Sequence, residues 1–250
     1  MNAPRKVVFT LVAICLAVIA VGGFSVAQAD QGKVQKRTQL TFVNHLAAGM
    51  AEQDVYVEVE SGSNLVKRIG ADELAAYGDQ PVYTSDRTVD HDPFQVKSEP
   101  IGPYPKGFDL GITMDEWLAA SGTGTYAVAG NLARIDVSFT NLVPNGVYTL
   151  WCAHIHVPPA YKIIDEPCGA PTGTRNVFTA DENGNAQIRV ITPAVPDTNA
   201  EVMQVVAAAY HSDNKTYGPH PGNFGLNSHV QVVAFLPAAG DPAWEVVPGQ

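Results

Sequence analysis

The second half of the chain alternates apolar and polar residues in short segments, which is the pattern of β-strands. Turn signals such as VPNG and DENG separate these segments. At least six such strands without long intervening helices predict an all-β fold, an antiparallel β-sandwich of jelly-roll-like or immunoglobulin-like form. The segments are GTYAVAG, LARIDVSFTNL, NGVYTLWCAHIHV, NAQIRVITP, AEVMQVVAAAYH and SHVQVVAFLP.

Upstream of residue 123 the strand pattern is weaker and interrupted. QLTFVNHL and NLVKRI predict short strands. DVYVEVE predicts a half-buried strand, because Val55, Val57 and Val59 alternate with larger or charged residues. Residues 79–111 hold five prolines and an acidic cluster, so we expect a long proline-rich loop or irregular lobe there.

Two short helices are expected. ADELAAYG predicts one or two helical turns that end at Gly78. ITMDEWLAASG predicts a second helix, because Thr113 and Glu116 have the spacing of a capping box. In that helix Trp117 and Leu118 are expected to face inward.

The N-terminus has the three parts of a signal peptide. Arg5 and Lys6 precede an apolar run of 18 residues, and Ala27-Gln28-Ala29 fits a cleavage site. These features predict a signal peptide over residues 1–29 and an exported chain, whether periplasmic, cell-surface or extracellular. The apolar run is also barely long enough to span a membrane, so an uncleaved N-terminal anchor is the alternative.

The mature chain is expected to form one domain. The polar residues 30–37 predict a flexible start. Residues 38–250 then provide enough chain for one β-sandwich domain, which includes the lobe at about 79–111.

The charge of the chain excludes some partners. The formal net charge is −10, and loss of the two basic residues of the leader makes it −12. Such an acidic protein has no electrostatic attraction to nucleic acid or to an anionic membrane surface. Because the chain is expected to be exported, the expected partner is one of the envelope or the extracellular space.

Two cysteines, Cys152 and Cys168, remain once the leader with Cys15 is removed. In an oxidising compartment, two cysteines separated by 16 positions are expected to pair. The sequence therefore predicts a Cys152–Cys168 disulfide.

Three motifs resemble those of an uncharacterised group of exported bacterial β-sandwich proteins. They are NLVPNGVYTLWC, with a YT-x-W strand, then the Cys-Gly pair of PCGAP, and the D-x-x-G turn of ADENGNA. The resemblance covers about residues 107–236. It implies an exported β-sandwich, and it assigns no activity and no catalytic residue.

The segment WCAHIHVPP carries the candidate chemistry. Alternate residues of a strand face the same side, so Cys152, His154 and His156 share one face, opposite an apolar face that begins with Trp151 and Ala153. Two histidines at this spacing lie about 7 Å apart at their Cα atoms. They are close enough to bind one ion, and copper, zinc and iron are the metals that suit imidazole.

Further ligands would have to come from a second pair of strands. His211 ends one predicted strand and His229 begins the next, so a hairpin would make them neighbours at the base of a loop that holds His220. A metal site of His154, His156, His211 and His229 is one interpretation. The other is that these histidines only form hydrogen bonds to loops at the strand ends.

Two metal-binding folds use ligands of the types found in this pattern. A cupredoxin-like copper site would use Cys152, two histidines and Met203 as axial ligand, but a disulfide would remove the thiolate. A cupin-like site would use His154, His156, Glu166 and His229, although Glu166 lies farther along the chain than that pattern requires.

The remaining motifs favour no reaction. DENGN at 181–185 is typical of a hairpin turn rather than a calcium loop, and DHD at 90–92 of a solvated acidic loop. The sequence contains no nucleophile elbow, P-loop or dinucleotide-binding motif. The first hypothesis is therefore a non-catalytic exported binding or structural module, and the second is a histidine-ligated metal protein or cupin-like metal-dependent enzyme.

Overall fold

A computed structural model describes residues 34–50, 53–91, 102–156 and 162–247, which all belong to one structural unit. The predicted signal peptide at 1–29 and its alternative role as an anchor lie outside the described residues. None of the helices in the described ranges is long and apolar enough to cross a membrane.

The prediction of an all-β fold with two short helices is confirmed. In the described ranges one sheet has ten strands, with the path β10-β8-β12-β13-β1-β6-β7-β11, while β9 pairs with β8 and β14 with β1. A small second sheet has the order β2-β3-β5-β4, and every strand pair of the two sheets is antiparallel. The elements are β1 (Lys36–Asn44), β2 (Val57–Glu58), β3 (Leu65–Lys67), α1 (Leu74–Tyr77), β4 (Pro81–Ser85), β5 (Tyr104–Thr113), α2 (Met114–Leu118), β6 (Ser121–Ala129), β7 (Leu132–Thr140), β8 (Val147–His156), β9 (Lys162–Pro167), β10 (Val177–Thr179), β11 (Ala186–Pro193), β12 (Val202–His211), β13 (Ser228–Phe235) and β14 (Glu245–Val246).

Strand β1 connects the two halves of the large sheet. Residues 36–42 pair with β6, whereas Val43 and Asn44 pair with β13. The sheet therefore curls around β1, and the inner sides of its two halves enclose the main core. Fully buried members of this core include Phe42, Trp117, Ile135 and Leu150.

Strand β8 is buried on both of its faces. Tyr148, Leu150 and Cys152 belong to the main core. Trp151, Ala153 and Ile155 belong to a second core, in which β8, β12 and β13 pack against Met50. The alternation predicted an apolar face on the Trp151 side, and this is confirmed; the opposite face is also buried as far as Cys152.

The small sheet corrects part of the expectation for residues 79–111. Strand β4 and most of β5 lie within that range and pair with each other, while the described residues 86–91 form no strand. Tyr104 of β5 packs against Val66 and Tyr56 beneath the sheet. Pro81 begins the edge strand β4, where a proline is tolerated, whereas Pro105 lies in the inner strand β5. Residues 92–101 lie outside the described residues.

DVYVEVE also departs from the alternating pattern. Val55, Tyr56 and Val57 are all buried, Val59 is exposed, and only Val57–Glu58 forms strand β2. Because the large sheet, the small sheet and the loop before β13 all press on this segment, alternation of burial is lost.

Both helices form where they were predicted. Helix α1 ends at Gly78. Helix α2 begins after its N-cap residue Thr113, and the predicted capping box of Thr113 and Glu116 is present. Trp117 is fully buried in the main core, and Leu118 packs against it. The turn at 181–185 is also confirmed, because Asp181 Oδ1 accepts hydrogen bonds from the amides of Asn183 and Asn185.

Other boundaries differ from the prediction. Lys36 and Arg37 were expected in a flexible start, but they belong to β1 and pair with β6 and β14. Three short strands, β9, β10 and β14, carry no clear alternation and were missed.

The Cys152–Cys168 disulfide is present. Both cysteines are buried in the main core, and the amide of Cys168 donates to the carbonyl of Leu150 on β8. The bond therefore holds the start of the next loop against the strand that carries His154 and His156.

Replacing both cysteines with alanine should lower the free energy of unfolding by about 2–4 kcal/mol, because the unfolded chain gains entropy when this loop opens. Urea denaturation of the double variant and of the parent protein measures the difference. Titration of the unfolded, unreduced parent protein should detect no thiol from Cys152 or Cys168. Two reactive thiols from these positions would contradict the prediction.

Candidate ligand-binding cleft

His154 lies where strand β8 leaves the main core. Its side chain is on the same face as Cys152, two residues earlier, which is almost fully buried. The His154 side chain is 19% exposed, so the ring is mostly buried but reaches solvent. The strand thus presents an imidazole at the edge of the core.

Strand β9 brings a carboxylate to this imidazole. Glu166 pairs with Cys152 in the β8–β9 register, which places it diagonally across from His154. His154 Nε2 lies 3.5 Å from Glu166 Oε2, and the Glu166 side chain is 63% exposed. The pair is therefore an accessible polar site and contributes little to stability.

A cleft of about 530 Å³ opens beside this pair. This volume lies within the range of pockets that bind small molecules. Its walls come from β8, β9, the end of β11 and the loops after β9, β11 and β12. The lining residues are Cys152, His154, Asp165, Glu166, Pro167, Gly169, Pro171, Thr192, Pro193, Ala194, Val195, Pro196 and Pro219.

Proline rings make up much of the apolar lining of the cleft. A pyrrolidine ring has almost no side-chain freedom to lose when a ligand packs against it. The cleft is therefore largely preformed, which lowers the entropic cost of binding.

A buried amide lies behind His154. Gln204 is the register partner of His154 on β12, so their side chains share a face. Gln204 is only 2% exposed, and within the described residues its Oε1 atom accepts no hydrogen bond. Gln204 therefore belongs to the buried side of β12 and not to the lining of the cleft.

The four histidines of the predicted metal site do not converge. His154 is opposite Gln204 in the β8–β12 register, whereas His211 is opposite Val147, seven residues away along β8. Seven residues of a strand span roughly 23 Å. Within the described residues no group of three or more His, Cys, Asp or Glu side chains is placed to hold a metal ion. Metal binding by His154 and His156 alone stays a prediction.

His211 and His229 are neighbours at the base of the β12–β13 hairpin, as predicted, but they face opposite sides. His229 pairs with Tyr210, so its side chain lies on the face opposite to that of His211. His211 Nε2 lies 2.8 Å from the Thr149 hydroxyl, and burial lowers the pKa of His211 from its ordinary 6.5 to about 4.

His229 is fully buried and forms two hydrogen bonds. Its Nδ1 atom lies 2.9 Å from the backbone carbonyl of Asp54, and its Nε2 atom lies 3.2 Å from the Ser212 hydroxyl. The carbonyl can only accept, so Nδ1 carries the proton and donates it. Burial lowers the pKa of His229. His229 therefore holds two loops in place, whereas the ring of His211 contacts Thr149 of strand β8.

The two metal-fold comparisons also fail on geometry. The disulfide removes the Cys152 thiolate that a cupredoxin-like site needs, and Met203 lies opposite Ile155, on the other face of the sheet. For a cupin-like site, Glu166 does approach His154, but His229 lies at the other end of the sheet.

A buried ionic network went unnoticed in the sequence. The Asp54 carboxylate is 1% exposed and lies 3.3 Å from the Arg68 guanidinium and 3.5 Å from His91 Nδ1. Its second oxygen accepts a hydrogen bond from the amide of Val230. Burial alone would raise the pKa of Asp54, but His91 and Arg68 hold it well below its usual range.

The DHD motif was expected on a solvated surface, and for His91 this is wrong. The His91 ring stacks on Phe224 at 4.2 Å and contacts the Asp54 carboxylate. Asp165 lies on the β9 face turned toward this network, and burial raises the pKa of its carboxyl. No sequence spacing connects Asp54, Arg68 and His91, so only the fold brings them together.

The Asp54→Asn variant should be about 3–5 kcal/mol less stable, because it removes the buried charge that faces the Arg68 guanidinium and His91. Urea denaturation near neutral pH measures the loss. Asp136→Asn is the matched control, since Asp136 pairs with two arginines at the surface and should cost at most about 1 kcal/mol. Equal losses in the two variants would contradict a special role for the buried network.

Stability should fall as the pH drops from 6.5 to about 4, because unfolded His211 takes up a proton that folded His211 resists. Above pH 6.5, the pKa of His211 in the unfolded chain, this stabilisation of the folded protein is complete. It is lost as the pH falls toward the pKa of His211 in the folded protein. Between pH 7 and pH 5 this group contributes roughly 2 kcal/mol.

The measurement is the free energy of unfolding at several pH values for the parent protein and for His211→Gln. The variant should lose about 2 kcal/mol less over that interval. His220→Gln, which changes an exposed histidine, should follow the parent protein. If the free energy of unfolding of His211→Gln fell with decreasing pH as steeply as that of the parent protein, other groups would be the cause of the acid sensitivity.

No family model, no curated protein and no solved structure matches the chain.

Proposed function

We propose that the chain is an exported binding module that holds a small organic molecule in the cleft beside His154 and Glu166. The proposal rests on one observation: a rigid, proline-lined wall lies beside the accessible His154–Glu166 pair. Preformed apolar walls with a few oriented polar groups are typical of small-molecule sites. The signal-peptide pattern and the disulfide support export.

The lining indicates the class of ligand. Pro171, Pro193, Ala194 and Val195 offer apolar surface, which suits a compact apolar or aromatic body. Glu166 adds a carboxylate at the rim, so the ligand should carry a hydrogen-bond donor and preferably a positive charge. A small amine with an aromatic ring combines both properties.

The disulfide and the strand pairing would keep this site in one shape. Cys152 lies in the cleft lining and is bonded to Cys168 just beyond β9, so the two strands that carry His154 and Glu166 are crosslinked. A crosslinked, proline-lined cleft changes its shape little when a ligand enters. The ligand therefore binds a preformed site, and the entropic cost of ordering the cleft is small.

Benzylamine should bind the purified protein more tightly than benzyl alcohol, which has the same ring but no charge. Ligand-observed NMR with saturation transfer, followed by titration, measures both affinities. Glu166→Gln should weaken benzylamine binding by about tenfold, because a charge-assisted hydrogen bond is lost. Binding of benzyl alcohol should change little.

Glu182→Gln is the matched control, since it removes the same charge from the exposed turn at 181–185. Benzylamine should bind this variant as it binds the parent protein. Equal affinity for benzylamine and benzyl alcohol, or equal weakening by both variants, would contradict recognition through Glu166.

A further inference from the structure

The outer side of strands β1, β6, β7 and β11 forms a broad polar face, away from the cleft. Aligned residues cross the four strands in rows. The first row is Thr41, Thr123, Ser138 and Gln187, and the second is Gln39, Thr125, Asp136 and Arg189. A shallow groove of about 650 Å³ follows these rows. The four strands span roughly 14 Å.

One carboxylate in this groove orients two guanidinium groups. Asp136 Oδ2 accepts a hydrogen bond from Arg134 Nε at 2.7 Å, and Asp136 Oδ1 accepts one from Arg189 Nε. Both contacts use Nε, and within the described residues no protein acceptor contacts the Nη atoms of either arginine. The two arginines are largely exposed, at 52% and 74%. Their terminal N–H groups are therefore available for a planar anion.

The other polar side chains of the groove are uncharged hydrogen-bond donors and acceptors. Gln39, Thr123, Thr125, Ser138 and Gln187 supply hydroxyl and amide groups, and none of these side chains forms a hydrogen bond to another described residue. Hydroxyls and amides in this arrangement match a ligand with many hydroxyl groups. The arginine pair adds a site for its negative charge.

The charge of this face is opposite to that of the chain. The sequence has ten more acidic than basic residues, yet the outward positions of the four strands carry Arg37, Arg134 and Arg189 against Asp136 alone. Glu245 of β14 pairs with Arg37, which still leaves the Arg134–Asp136–Arg189 group with one excess positive charge. Charge complementarity thus favours an anion on this face.

We infer that this face binds an acidic oligosaccharide whose carboxylate contacts Arg134 and Arg189 and whose hydroxyls contact the rows of Thr, Ser and Gln. A sugar chain that carries both carboxylates and hydroxyls uses the guanidinium pair and the neutral rows. A dense polyphosphate would use only the arginines and would be repelled by the net negative charge of the rest of the protein.

Titration of the purified protein with trigalacturonic acid tests the inference, with maltotriose as a neutral trisaccharide and inorganic tripolyphosphate as a dense anion. NMR chemical shifts should change first at Thr125, Ser138 and Arg189. A physiological salt concentration limits long-range repulsion, since the Debye length is then about 8 Å. Trigalacturonic acid should bind at least about tenfold more tightly than maltotriose, because it alone forms charge-assisted hydrogen bonds to the arginines.

Arg189→Gln and Arg134→Gln should each weaken trigalacturonic acid binding about tenfold and leave maltotriose binding nearly unchanged. Arg175→Gln removes an exposed charge outside the four strands and should bind like the parent protein. Glu166→Gln should also bind like the parent protein, which separates this face from the cleft. Equal binding of maltotriose, tighter binding of tripolyphosphate, or no binding of trigalacturonic acid at millimolar concentration would overturn the inference.

Discussion

The buried Asp54 carboxylate is the contact on which the arrangement of the two sheets depends. It joins Arg68, which follows β3, and His91, which follows β4, to the amide of Val230 on β13. A charge at this depth is costly unless every lone pair is satisfied, so the partners must arrive together. Gly225 permits the close approach, because a Cβ atom at its positive φ would come within 2.6 Å of the Tyr56 hydroxyl. The small sheet is therefore fixed to β13 by polar contacts as well as by apolar packing.

Burial of β8 on both faces explains why its histidines occupy the edge of the fold. From Tyr148 to Ala153 the strand lies between the main core and the second core. His154 and His156 come after this segment, where the main core ends and polar side chains can reach solvent. The disulfide and β9 then provide the opposite wall of the cleft. One strand thus serves as the centre of the core and as the rim of the candidate site.

Local patterns predicted the fold better than the site. The long strands from β6 to β13 and the capping box at Thr113 follow from spacing over short distances, and the disulfide from the two cysteines that remain in a chain expected to be exported. The candidate cleft needs His154, Glu166 and a proline-lined wall from several loops, and the Asp54 network joins residues that no pattern connects. His211 and His229 were correctly expected as neighbours, but a shift of one position in the register turned them to opposite faces. Such details depend on register and tertiary contact, which one sequence does not encode in a local pattern.

The division of β1 between two partners has a consequence for how the chain folds. Val43 near the beginning of the described residues pairs with Val233, about 190 residues later. The sheet cannot close around the main core until almost the whole chain is available. Folds with such distant contacts form slowly, because loop closure must precede the stabilising contacts. The half built from β6, β7 and β11 has nearer neighbours in sequence, and it can form first as a template on which β1 later recruits β13.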